Sequence, residues 1–201
     1  MDALVEYGGA IRRNIERVEA VRPDQLSGPT PCRDWDVAAL LAHMIGVDVM
    51  FAAALGQPVT PAAAADGAPS VSGLAKRYRD ASAASMNGFA APGALQRVAD
   101  LPFGDMPGEM ALSLALVDAV VHGWDLAAAT GQDTGIDDRV AGSRLVAAHA
   151  RMTDDLRQPY GAMAVFAEPV IVDAESPLGD WLVAYLGRSP HFGRLTVLDG
   201  R

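Results

Sequence analysis

Apolar residues recur at helical spacing along most of this chain. In Asp2 to Val21, Leu4, Tyr7, Ile11, Ile15 and Val18 share one face, while Arg12, Arg13, Glu16, Arg17 and Glu19 cover the rest, which predicts an amphipathic helix. Arg22-Pro23 ends it, and a Pro/Gly/Ser-rich connector runs to Cys32. Asp36 is a good N-cap for a second helix carrying Val37, Leu40, Leu41, Met44, Ile45 and Val47 to about Leu55, with Gly56 just past its end. Gln57 to Ser70 is a Pro/Ala/Gly-rich loop, and Val71 to Phe89 a third helix of weaker pattern. Leu95 to Pro107 reads as a short extended passage. Asp137 or Asp138 opens a helix bearing Val140, Leu145, Ala148, Met152 and Leu156, and His149 in it reads as a surface residue or a support to the site. Tyr160 to Asp173 is irregular. Pro177 is expected to open a last helix to Leu186, closed by Gly187, and the pattern of Leu195 to Leu198 predicts a terminal edge strand.

The stretch Met110 to Ala129 departs from this amphipathic pattern. Its polar side chains are Ser113, Asp118, His122 and Asp125, with the Trp124 indole as a partial case. At about 100° per residue, Asp118, His122 and Asp125 share a stripe roughly 60° wide, and Ser113 falls elsewhere. Two readings fit. The stripe faces water on an ordinary amphipathic helix, or it is buried, where a carboxylate and an imidazole need a partner. A divalent cation suits an Asp and a His one turn apart. Exposed stripes are usually wider and carry Lys, Arg or Glu, which this one lacks. His43, alone on an apolar face of the second helix, reads by itself as a core histidine with one hydrogen bond. It gains weight as a ligand when a facing helix supplies an Asp/His pair, because bundles build metal sites from facing helices.

Composition narrows the class. With 201 residues, half of them hydrophobic, the chain suits one globular domain spanning 1–201. The expected architecture is mainly α: an up-and-down four-helix bundle with short irregular or extended additions. A net charge of −9 argues against nucleic acid or an anionic membrane surface as partner. Asp118 interrupts the longest apolar run, and Met1 to Asn14 lacks a signal-peptide core, so no membrane span and a cytoplasmic setting are expected. One cysteine, Cys32, excludes an internal disulfide and a multi-cysteine zinc site. Flanked by Pro31 and Arg33, with no Cys/His pair in its neighbourhood, it reads as a structural residue.

Two segments carry a family resemblance. Thr30-Pro31-Cys32-Arg33-Asp34-Trp35-Asp36-Val37, with Leu40-Leu41-Ala42-His43, and Asp118-Ala119-Val120-Val121-His122-Gly123-Trp124-Asp125-Leu126 resemble the DinB-like superfamily. The closer likeness is to the branch of the mycothiol-dependent maleylpyruvate isomerase N-terminal domain, and Leu186-Gly187-Arg188-Ser189-Pro190 also looks like that branch. The resemblance implies a helical bundle with a divalent metal on three side chains from two helices. Carried over, these are His43, Asp118 and His122. The isomerase has Glu where Asp118 stands, so the metal would lie nearer this helix or meet the carboxylate through water. The isomerase's separate C-terminal domain has no evident counterpart, so metal and thiol chemistry is expected rather than that specific isomerisation.

Two imidazoles and a carboxylate suit Zn²⁺, with Ni²⁺, Fe²⁺ or Mn²⁺ as alternatives, and three ligands leave a coordination position open. An open metal activates a thiol, which the resemblance implies to be mycothiol or a similar low-molecular-weight thiol, for transfer to or isomerisation of a small electrophile. The alternatives are a metal-dependent hydrolase and a non-catalytic metal- or ligand-binding module. Asp125, one turn past His122, is the candidate to orient a ligating imidazole, that of His122 or that of His43, or else caps a nearby helix. Trp35 and Trp124 are pocket candidates. The expected partners are a small-molecule substrate, a thiol and a second copy in a homodimer.

Overall fold

The computed structural model describes residues 3–59, 70–142 and 167–193. The expected helix beyond 142, His149, residues 160–166 of the Tyr160–Asp173 passage and the expected strand at 195–198 lie outside these residues.

The fold is mainly α, as expected. Four long helices dominate: α1 (Ala3–Glu19), α2 (Val37–Ala54), α3 (Val71–Ala90) and α4 (Gly108–Thr130). Short helices α5 (Asp138–Ala141) and α6 (Leu178–Tyr185) follow. The expected Asp36 cap is in place, and further caps join it. The Asp36 side chain accepts from the Ala39 N–H at 2.8 Å, and Ser70 caps α3 through the Gly73 N–H. Gly131 closes α4 in the left-handed region, at φ 70°. The extended passage is a two-stranded ladder of β1 (Val98–Ala99) and β2 (Met106–Pro107), antiparallel, leading into α4.

The principal helix contacts are α1 with α3 and α4, and α2 with α3 and α4. The order around the core is therefore α1–α3–α2–α4. A purely sequential ring would seat α1 beside α2. The connections 20–36 and 91–107 are long enough to pass over a neighbouring helix end instead.

Helix α4 is central. It touches both α1 and α2 and is buried almost along its length, with Leu112, Leu116 and Leu126 fully enclosed. This explains its missing amphipathicity. By length and composition α2 and α4 are apolar enough to cross a membrane, but 72% of the apolar window of α4 is buried inside the fold. Trp124 packs with Ala128 and Val183, which docks α6 near the end of α4 that carries His122. On the other flank the α1–α4 approach is close. Asn14, fully buried, donates to the Ala119 carbonyl at 2.7 Å. A Cβ on Gly123 would lie 2.0 Å from Asn14 Oδ1, so only glycine fits.

One polar cluster lies inside the core away from the Asp/His stripe. Tyr7 on α1 donates to Asp48 Oδ1 on α2 at 2.8 Å and meets Ser85 Oγ on α3 at 2.9 Å. All three are buried. Burial pushes the Asp48 carboxyl up to about 7.

Candidate metal centre

Helix α2 brings His43 and helix α4 brings Asp118 and His122 to one point. His43 Nε2 and His122 Nε2 each lie 3.5 Å from the same oxygen, Asp118 Oδ1. The imidazole rings stand edge to face with centroids 4.6 Å apart. One ligand atom from each residue falls within a 4.8 Å group. The side chains are 31%, 25% and 11% exposed for His43, Asp118 and His122, so the point is reachable from solvent but walled by protein.

These separations suit a shared cation better than direct hydrogen bonds. Two donors at about 2.1 Å from a tetrahedral ion stand about 3.4 Å apart, whereas a good hydrogen bond is shorter than roughly 3.2 Å. His43 Nε2 is buried with no hydrogen-bond partner. An orphaned imidazole nitrogen aimed at a carboxylate and a second imidazole is what a metal ligand looks like without its ion. The residues present therefore fit a divalent cation.

The electrostatics follow from crowding. Burial disfavours charge on every member. Yet the facing His122 and His43 hold the Asp118 carboxyl below its usual range. Burial likewise works against the His122 imidazolium, but Asp118 and Asp125 together raise it to about 10. The chain alone thus carries a proton on His122 at neutral pH.

Asp125 stands behind His122. Its Oδ2 is 2.9 Å from His122 Nδ1, which leaves Nε2 turned toward Asp118. Of the two imidazoles it is that of His122, not that of His43, that Asp125 meets. Asp125 is completely buried, and its carboxyl is held low by the His122 and Arg188 cations against the pull of burial.

Cys32, Trp124 and Arg188 have places that sequence reasoning assigned differently or did not assign, while Trp35 is at the pocket it was a candidate for. Cys32, read as structural, lies at the site: its thiol is 3.1 Å from Asp125 Oδ2 and 3.9 Å from His122 Nδ1, only partly buried. The pair is formed across 90 residues of sequence, which no local neighbourhood reveals. Trp35 lines the site, with its ring centroid 4.6 Å from that of His43 and 5.9 Å from that of His122. Trp124 instead fills the core. Arg188, which the sequence offered only as part of a Leu-Gly-Arg-Ser-Pro motif, reaches Asp125 with two nitrogens. The loop bearing Cys32 and Trp35 is fixed from within: the Thr30 hydroxyl bonds the Trp35 carbonyl at 2.9 Å and the Cys32 N–H at 3.2 Å.

Residues 8–127 match the family model of the mycothiol maleylpyruvate isomerase N-terminal domain. The chain belongs to this family. The matched segment contains His43, Asp118, His122 and Asp125 and stops before Arg188. Two proteins of Mycobacterium tuberculosis, from two strains and both described as uncharacterized, are each 36% identical over 189 residues, covering 94% of this chain and 99% of theirs. No solved structure matches the chain.

Proposed function

We propose that the chain binds one divalent cation on His43, Asp118 and His122 and is a metal-dependent enzyme acting on a low-molecular-weight thiol and a small electrophile. The observation that carries this reading is the orphaned His43 Nε2 facing Asp118 and His122 at cation spacing. Family membership supports mycothiol as the thiol. Two imidazoles and one carboxylate favour Zn²⁺, with Ni²⁺, Fe²⁺ or Mn²⁺ as the other candidates.

A bound cation of this kind lowers the pKa of a thiol, so that the sulfur is nucleophilic at neutral pH. The protein's own residues do the rest. His43 and His122 present Nε2 to the same point as Asp118 Oδ1. Asp125 accepts from His122 Nδ1 and so fixes the ring. Trp35 covers one side of both imidazoles and limits water there. The acidic chain, at −9, suits a small-molecule partner better than nucleic acid.

Elemental analysis of untagged protein tests the metal half, with about one divalent ion per chain expected and none in His122→Ala. Incubation with mycothiol and a small electrophile such as maleylpyruvate tests the chemical half. A conjugate or isomer that disappears on chelation supports the enzyme. Metal without turnover reduces the reading to a binding module.

A further inference from the structure

We propose that Arg188, beyond the segment matched by the family model, is a positioning residue for the metal centre that acts through Asp125 on His122. This rests on the metal reading above.

The placement is built. Helix α6 ends in a turn in which the Gly187 N–H donates to the Ala184 carbonyl at 3.0 Å and the Arg188 N–H to the Val183 carbonyl at 2.9 Å. That paired closure is a Schellman motif, and Gly187, at φ 84°, supplies its left-handed residue. Leu186 and Val183, both fully buried, anchor the turn in the core. Arg188 is thus delivered to a defined place although 63 residues separate it from Asp125.

Its guanidinium then grips the carboxylate. Nε donates to Asp125 Oδ1 at 3.3 Å and Nη2 to Oδ2 at 3.1 Å, while Nη1 donates to the Leu186 carbonyl at 2.9 Å. The side chain is only 10% exposed and Asp125 is not exposed at all. Nη2 also lies 3.5 Å from the Cys32 sulfur. Oδ2 of Asp125 therefore serves Arg188, Cys32 and His122 at once. A fork on both oxygens fixes the plane of the carboxylate. That plane sets the direction of the His122 Nδ1 bond, and so the direction in which Nε2 points. Without Arg188 the buried carboxylate keeps Cys32 and His122 and is free to turn between them.

The test uses full-length protein loaded with Co²⁺, whose visible spectrum reports ligand geometry, with affinity read by chelator competition. Arg188→Met is expected to bind Co²⁺ roughly tenfold or more weakly, with an altered spectrum. Arg188→Lys, which keeps the charge without the fork, is expected to fall between it and wild type, and it decides the question if Arg188→Met does not fold. Combining Arg188→Met with Asp125→Asn is expected to cost no more than Asp125→Asn alone, because both act through one carboxylate. A merely structural ion pair would move the melting temperature of the metal-free protein and leave the spectrum unchanged. Wild-type affinity and spectrum in the folded variants, or additive losses in the double variant, overturn this inference alone. A wild-type protein that takes up no Co²⁺ overturns the metal reading and this inference with it.

Discussion

The helical core draws in a carboxylate at two places, Asp48 where α1, α2 and α3 converge and Asp118 where α4 faces α2. Asp48 on α2 is 5% exposed and faces hydroxyl groups, with Tyr7 donating to it directly and Ser85 behind. Asp118 on α4 is a quarter exposed and faces two imidazoles. Burial raises Asp48 to about 7. At Asp118 the same burial is outweighed by neighbouring positive charge, and the carboxyl is held low. One residue type in one core takes opposite proton states. Hydroxyls satisfy lone pairs without supplying charge, whereas imidazoles supply it. An acid that stays ionised is a cation ligand. One that keeps its proton into neutral pH is a structural hydrogen-bonding group.

The most severe way to break this contrast is to neutralise the ionised member. Asp118→Asn is expected to reduce bound metal from about one ion per chain to background, measured by elemental analysis, while Asp48→Asn leaves metal content at the wild-type level. Next comes pH. With His122 raised to about 10, metal must displace its proton. Apparent affinity is therefore expected to rise about tenfold per pH unit from 6 to 8, and titration at constant pH should record released acid. A flat profile would contradict the protonated His122.

Asp48 gives the third effect. Its folded pKa lies above the value of about 3.9 for an unfolded carboxyl. The native state then holds a proton the unfolded chain has lost, so stability falls as pH rises from about 4 to 7. Asp48→Asn abolishes that slope. Urea melts should find it more stable than wild type at pH 8, by a few kcal/mol in order of magnitude, and without that gain at pH 4. The smallest effect is that of Tyr7→Phe, which removes the hydroxyl and is expected to cost about 1–2 kcal/mol. The cost should be larger at pH 8, where Asp48 is ionised and needs the donor most.

What was legible in the sequence is what depends on short spacing. Helices α1 to α3 follow from 3.6-residue periodicity, and the Asp36 cap from local chemistry. The meeting of Asp118 and His122 follows from i, i+4, and the Asp125–His122 bond from i, i+3. Bringing His43 to that pair took a family resemblance in addition, because nothing in the α2 pattern says which face meets α4. Cys32 and Arg188 were not legible as site residues, and Trp35 was legible only as an aromatic pocket candidate, without a partner. Each arrives through a turn outside the long helices, where direction is set by hydrogen bonds such as those of Thr30 and by the Gly187 turn. The Asp48 cluster was hidden for a related reason. It needs α1, α2 and α3 to converge, and a lone Asp in an apolar helix carries no sign of the Tyr and Ser that will meet it.

Gly123 shows how an atom that is missing can govern chemistry next door. The neighbour of His122 in the chain has no side chain, and Asn14 of α1 occupies the space one would need. The distance from the first helix to the Asp/His stripe is thus fixed by a single hydrogen standing in for a methyl group. Relatives that place alanine at this position should carry a shorter residue opposite, and substituting the two together should be tolerated where either change alone is not.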